Sequence, residues 1–206
     1  TGIFRAFENV GDGYGMLMAI LGGDDAGGGV TWAPEVINDA KDFGLLLGDN
    51  GVLYDTKKGE SLPAHIGPME LLSEAELNNF PEVSTEEFMN NFFVSASDLF
   101  QHSNDSPVKV IGSKGLLTDK PGFEVDYVSN DTFIKEMHTT SQYEVNMIMK
   151  GEWKLEWKDD SINISAGDTC LIRPNLSYRI VPVGSGQASL FKVTKTNDRP
   201  GSTWRE

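Results

Sequence analysis

The sequence predicts a mainly β fold, a sandwich or barrel in its C-terminal half, preceded by a short helical segment. Three observations carry this. Residues 138–182 read as consecutive short strands in which apolar and polar residues alternate, with turn residues every several positions. No helical pattern interrupts them, and many such strands in a row argue a sandwich or a barrel. The middle of the chain has little strand character and carries helix-start patterns instead.

Taken in order, residues 14–21 read as a buried strand and 22–29 as a Gly-rich linker. A phosphate-cradling loop is disfavoured there, because no Gly-Lys-Ser/Thr ending follows; Val30-Thr31-Trp32 does. Pro34 suits the first position of a helix over 34–43, which Gly44 can end in the left-handed conformation. Residues 45–47 and 52–54 then form a small hairpin around Asn50-Gly51. Over 59–106, Ser73 with Glu76 and Ser84 with Glu87 are capping-box pairs that start short helices. Leu77, Phe80, Phe88, Phe92 and Phe93 give the second of these enough apolar area to dock on a barrel. His65 and His102 lie in polar or Pro/Gly-containing loops and read as solvated side chains.

From Val108 onward, strands are expected over 108–111, 123–128 and 132–138, separated by turns at Gly112-Ser113, Pro121-Gly122 and Asn130-Asp131. Residues 144–149 alternate and stop at Lys150-Gly151. Residues 153–157 alternate again up to Asp159-Asp160. Residues 162–164 precede Gly167-Asp168, and 170–172 are a further apolar run. Residues 188–193 read as the closing strand, after which 198–201 lead into a tail whose Trp204 is expected to pack.

A chain of 206 residues can bury a real core as one large domain or two small ones. Its formal charge of −14 argues against nucleic acid or an anionic membrane surface as partner. The charge is uneven, −13 over residues 1–104 and −1 over 105–206, and the acidic half reads as a solvated surface. Nothing in the sequence suggests a membrane span or a secretory apolar region. Cys170, the single cysteine, sits in an apolar strand; it reads as a small buried hydrophobe in a reducing, cytoplasmic setting.

The turn residues carry a resemblance. Glu144, six residues and then Gly151 resemble the end of the first cupin motif, H-x-H-x(3,4)-E-x(6)-G, with His138 on its first histidine and Thr140 on its second. Gly167-Asp168 resembles the opening of the second motif, G-x(5)-P-x-G-x(2)-H-x(3)-N; Arg173 falls on its Pro, Asn175 on its Gly, Tyr178 on its His and Pro182 on its Asn. Gly2, Arg5 and Asn9 are similar to the tail of the same motif, with Arg5 in place of the histidine.

The resemblance implies a cupin double-stranded β-helix, a jelly-roll-like barrel, within a bicupin. Residues 1–22 would be the last strands of a first barrel, 23–106 a linker with short helices and a hairpin, and 107–206 a second barrel with its tail.

What the resemblance implies chemically is a degenerate metal site. Cupin metals take three imidazoles and a carboxylate, and here the positions hold His138, Thr140, Glu144 and Tyr178. The implied cofactor is none, or a single divalent Fe, Mn, Ni, Cu or Zn ion on His138, Glu144 and Tyr178. A buried Glu144 needs a partner, for which His138, Thr140, Tyr178, Arg173 and Arg179 are candidates. The expected ligand pocket is His138, Thr140, Glu144, Met147, Ile148, Trp153 and Tyr178.

Three functions stay open. The first is an accessory or regulatory bicupin that binds a small organic ligand. The second is a metal-dependent dioxygenase or decarboxylase acting on a small aromatic or carboxylic acid. The third is a structural partner-binding subunit, so enzymatic activity is undecided. A homodimer is expected from the resemblance and from the need to cover sheet edges.

Overall fold

The computed structural model describes residues 4–20, 31–102, 106–118 and 122–196. The expectations for Gly2, the 22–29 linker, Leu21, Pro121 and the tail from 198 to Trp204 lie outside the described residues. The chain divides into two compact units, one of Thr1–Gly15 with Asp24–Val83 and one of Met16–Gly23 with Ser84–Glu206.

The first unit holds helix α1 (Pro34–Asp42), which opens on Pro34 and has Glu35 in its first turn and Lys41 in its last, both favourable to the helix dipole. Its one buried residue is Ile37. Gly44 follows with φ +79° and donates its amide to Lys41 O at 2.9 Å. Strands β1 (Leu45–Leu47) and β2 (Leu53–Asp55) pair antiparallel with Leu46 opposite Tyr54. In their connection Val52 N donates to Asn50 Oδ1 at 3.1 Å, and Gly51 takes φ +75°. Helix α2 (Glu74–Leu77) starts on a reciprocal capping box between Ser73 and Glu76.

The strand expected over 14–21 is corrected for residues 14–20, which form no strand. Tyr14, Met16 and Leu17 are exposed. A lone extended segment without a neighbour satisfies none of its backbone groups in a ladder, so alternation alone does not make a strand.

The second unit begins with α3 (Thr85–Asn91), where Ser84 Oγ accepts the Glu87 amide at 3.1 Å. Phe88 and Phe93 remain exposed. Helix α4 (Ala96–His102) was not anticipated. Ser95 Oγ accepts the Asp98 amide at 3.1 Å, and Asp98 Oδ2 accepts the Ser95 amide at 3.0 Å, the same reciprocal cap with Asp in place of Glu. Both helices fall in the unit of the barrel strands although the sequence groups them with the linker.

Among the described residues nine strands follow: β3 (Val108–Gly112), β4 (Leu117–Thr118), β5 (Phe123–Ser129), β6 (Glu144–Lys150), β7 (Glu152–Trp157), β8 (Asp160–Ser165), β9 (Thr169–Ile172), β10 (Tyr178–Pro182) and β11 (Ser189–Lys195). One sheet runs β4-β3-β5-β11-β6-β9 and the other β10-β7-β8. Alternation sorts their side chains between two cores. Val128, Ile148, Trp153, Leu155, Ile164, Ile172, Tyr178, Ile180 and Leu190 form one cluster with members from both sheets. The other joins Leu99 of α4 to Val108, Val110 and Val125, with Tyr127, Phe191 and Ile20 against it.

The strand expected over 132–138 is also corrected. Ser129 N donates to Thr132 Oγ1 at 2.9 Å and Thr132 N to Ser129 O at 3.1 Å, which closes a turn. Residues 133–137 then run free of any ladder. Strand β5 is already flanked by β3 and β11, and only His138 reaches the open edge of β10. Among the described residues no helix is long and apolar enough to cross a membrane.

Candidate functional site

Two turns hold the ends of the strands that build the site. Gly151, between β6 and β7, takes φ +75°; a Cβ there would stand 2.9 Å from Ala188 Cβ and Gln187 O, so only glycine fits. Gly167 has φ +96°, and beside it Asp168 Oδ2 accepts the Ser165 amide at 2.8 Å.

From these turns β6 runs with Glu144, Asn146 and Ile148 on one face. The strand register lines up Lys109, Asp126, Lys192, Asn146 and Cys170 across β3, β5, β11, β6 and β9. Lys109 Nζ lies 2.8 Å from Asp126 and 2.7 Å from Glu124. Burial opposes the charge on Lys109, but hydrogen bonds to Asp126 and Glu124 outweigh it and raise its pKa. Lys192 Nζ stands 3.8 Å from Asp126 and 3.9 Å from Glu144.

Glu144 is 5% exposed and accepts the hydroxyl proton of Tyr178, which is 2% exposed. Desolvation first, and the Glu144 carboxylate second, push the Tyr178 pKa far above the ordinary phenol value. The His138 ring packs on the Tyr178 ring with centroids 4.5 Å apart, and the two backbones exchange a pair of 2.9 Å hydrogen bonds. Of the partners considered for Glu144, Tyr178 is the one it meets. Arg179 instead pairs with Glu156 and donates to Lys135 O at 3.1 Å, and Arg173 is exposed.

Beside this pair lies a cavity of about 30 Å³, lined by Val128, Phe133, Ile134, His138, Asn146, Tyr178, Ile180 and Leu190. A volume of roughly 10–15 Å³ already admits a water molecule. Asn146 is 2% exposed; its side chain faces the Tyr178 hydroxyl, but its Nδ2 reaches no hydrogen-bond partner in bonding geometry among the described residues. An unpaired buried donor costs about 1–3 kcal/mol.

Of the residues expected to line a ligand pocket, this cavity brings two together. His138 and Tyr178 line the cavity, but Thr140, Glu144, Met147, Ile148 and Trp153 do not. Thr140 serves a loop: its Oγ1 accepts from Gln142 N at 3.1 Å and its carbonyl from Asn175 N at 2.8 Å. Glu144 reaches the site only through Tyr178. Met147 alternates to the face of β6 opposite Asn146, while Ile148 and Trp153 are fully buried core. Sequence reasoning missed Asn146. The signal was present, since Asn146 lies two residues after Glu144 on the same face, an apolar-to-polar exception in an inward row.

Residues 120–199 match the family described as the AraC-like ligand binding domain. A search of curated proteins finds no match. Among solved structures, the chain is similar to a cupin-2 domain protein of Shewanella frigidimarina, at 14% identity over 52% of this chain and 94% of that one, TM-score 0.37. It is also similar to an RmlC-like cupin family protein of Methanocaldococcus jannaschii, at 18% identity over 46% and 82%, TM-score 0.36. The EutQ protein of Clostridium difficile matches at 13% identity over 45% and 68%, TM-score 0.36.

The cupin metal positions fall on His138, Thr140, Glu144 and Tyr178, and these residues do not fit a resident divalent ion. The Tyr178 hydroxyl donates a hydrogen bond to the one carboxylate, Glu144. Thr140 Oγ1 is engaged by the loop. A single imidazole, His138, remains. Among the described residues no group of three or more His, Cys, Asp and Glu is placed to hold a metal.

Proposed function

We propose that the cupin barrel binds a small organic molecule without a resident metal, in an accessory or regulatory role. The observation that carries this is the cavity in which a buried, unpartnered Asn146 amide faces His138, Tyr178 and an apolar wall. Ligand pockets are mostly apolar with a few placed polar groups, and this one has that make-up on a small scale. The family match to a ligand binding domain supports the same reading.

The test is thermal unfolding of the purified protein against a panel of small organic molecules, with elemental analysis of the same preparation. Saturable stabilisation by some compound is expected. Stoichiometric iron, manganese, nickel, copper or zinc would refute the metal-free site, and a panel without any stabilising compound would refute ligand binding.

A further inference from the structure

The cavity also indicates which chemical class it takes, granted that the barrel binds a ligand. Asn146 sits in mid-strand, paired in register with Lys192 on one side and Cys170 on the other. The backbone on both flanks holds it, so its side chain has little freedom to turn away and find a partner. Its Nδ2 is a donor, and a donor left open calls for an acceptor.

The other polar lining groups are the Tyr178 hydroxyl and the His138 imidazole. The Tyr178 hydroxyl donates its hydrogen bond to Glu144. His138 Nδ1 lies 3.3 Å from Glu136 O, an acceptor. No Lys, Arg, Asp or Glu lines the cavity. The nearest ammonium on the row, Lys192, is placed between Asp126 and Glu144. A carboxylate ligand would find no unshared cation there and would sit near the Glu144 charge behind Tyr178. An ammonium ligand would meet the Asn146 donor end-on. What remains is a neutral oxygen.

Depth limits the shape. About 30 Å³ admits one small group, while Phe133 and Ile134, the latter 41% exposed, lie at the outer side. We propose that Asn146 recognises the uncharged carbonyl oxygen of a ligand whose apolar remainder lies against Phe133 and Ile134. Asn146 is thereby assigned as the specificity-determining residue of the cupin barrel.

The experiment compares benzamide and benzaldehyde with benzoate, matched in ring and differing in charge. Binding is followed by nitrogen–proton correlation NMR on the backbone amides of the barrel in both proteins and, in the native one, on the side-chain amide of Asn146, assigned through its loss in Asn146→Leu. The neutral probes are expected to move that signal saturably and to bind about tenfold or more tighter than benzoate, and Asn146→Leu to weaken them by about tenfold.

Equal or tighter binding of benzoate, or unchanged binding by Asn146→Leu, overturns the assignment of class and residue while leaving ligand binding in place. If no probe of either charge moves any barrel resonance, both fall. Folding of the variant is checked by its melting temperature, which is expected to stay near the native value, because removing an unpaired buried donor offsets the larger volume of Leu beside the cavity.

Discussion

Tyr178→Phe isolates the contact on which the polar end of the barrel depends. The ring stays, so the packing on His138 and within the apolar cluster is kept, and only the hydroxyl that donates to Glu144 is lost. Glu144, 5% exposed, is then left with Lys192 Nζ at 3.9 Å as its nearest charged neighbour. A hydrogen bond to a charged group contributes about 1.5–3 kcal/mol, and at 3.9 Å the ammonium replaces little of it. The expected loss is about 2–3 kcal/mol, read from urea unfolding midpoints at pH 7 with unchanged slope.

The same substitution alters the alkaline limb of stability. The folded pKa of Tyr178 is raised above its unfolded value near ~10. Its contribution is therefore fully present below ~pH 10 and is lost as pH rises from there toward the folded pKa. In that window the unfolded chain releases a proton that the folded chain keeps, so stability falls by about 1.4 kcal/mol per pH unit. Tyr178→Phe should remove that slope, which appears as a difference between the two proteins at pH 10–11. Equal stability at pH 7 together with parallel alkaline limbs would refute a buried Tyr178–Glu144 bond.

The remaining predictions test the frame around the site. Gly151→Ala should destabilise by about 1–3 kcal/mol for the left-handed backbone alone, and by more once its Cβ meets Gln187 O and Ala188; chemical denaturation measures it. Desolvation raises the Cys170 pKa, so iodoacetamide at pH 8 should label the native thiol much more slowly than the same protein in urea, followed by mass spectrometry. Trp153→Ala should cost about 3–5 kcal/mol as a core deletion. Benzamide binding, if retained in a folded remnant, should show that Trp153 does not touch the ligand.

Much of the barrel is legible in the sequence because its strands are short, alternating and closed by turn residues with one allowed backbone. Gly151 and Gly167 are both left-handed, and the strands beside them fall within a residue or two of where alternation places them. The failures share a cause. Residues 14–20 and 132–138 alternate as well as true strands do, but a strand exists only where a neighbour has a free edge, and pairing is a long-range fact. Helix α4 escapes the sequence reading for a different reason, since its Ser95/Asp98 cap has the shorter Asp where the pattern recognised at Ser73/Glu76 has Glu.

The candidate site was harder to read, because a motif gives strand position and not side-chain neighbours. Family spacing points to Glu144 and Tyr178, and the fold joins them to each other, with Tyr178 and not Glu144 lining the cavity. The cross-strand row explains why the opening appears at Asn146. From β3 inward each charge meets an opposite one, Lys109 with Asp126 and Asp126 with Lys192. Lys192 then leans to Glu144 rather than to its register partner Asn146. An ammonium cannot accept from an amide donor, so the pairing along the row stops at Lys192 and leaves the Asn146 Nδ2 without an acceptor from it. The last donor on it is left facing a cavity large enough for a single small group. Replacing Lys192 with Met should therefore weaken the Tyr178–Glu144 end of the barrel, while the Asn146 amide signal and its response to benzamide stay in place.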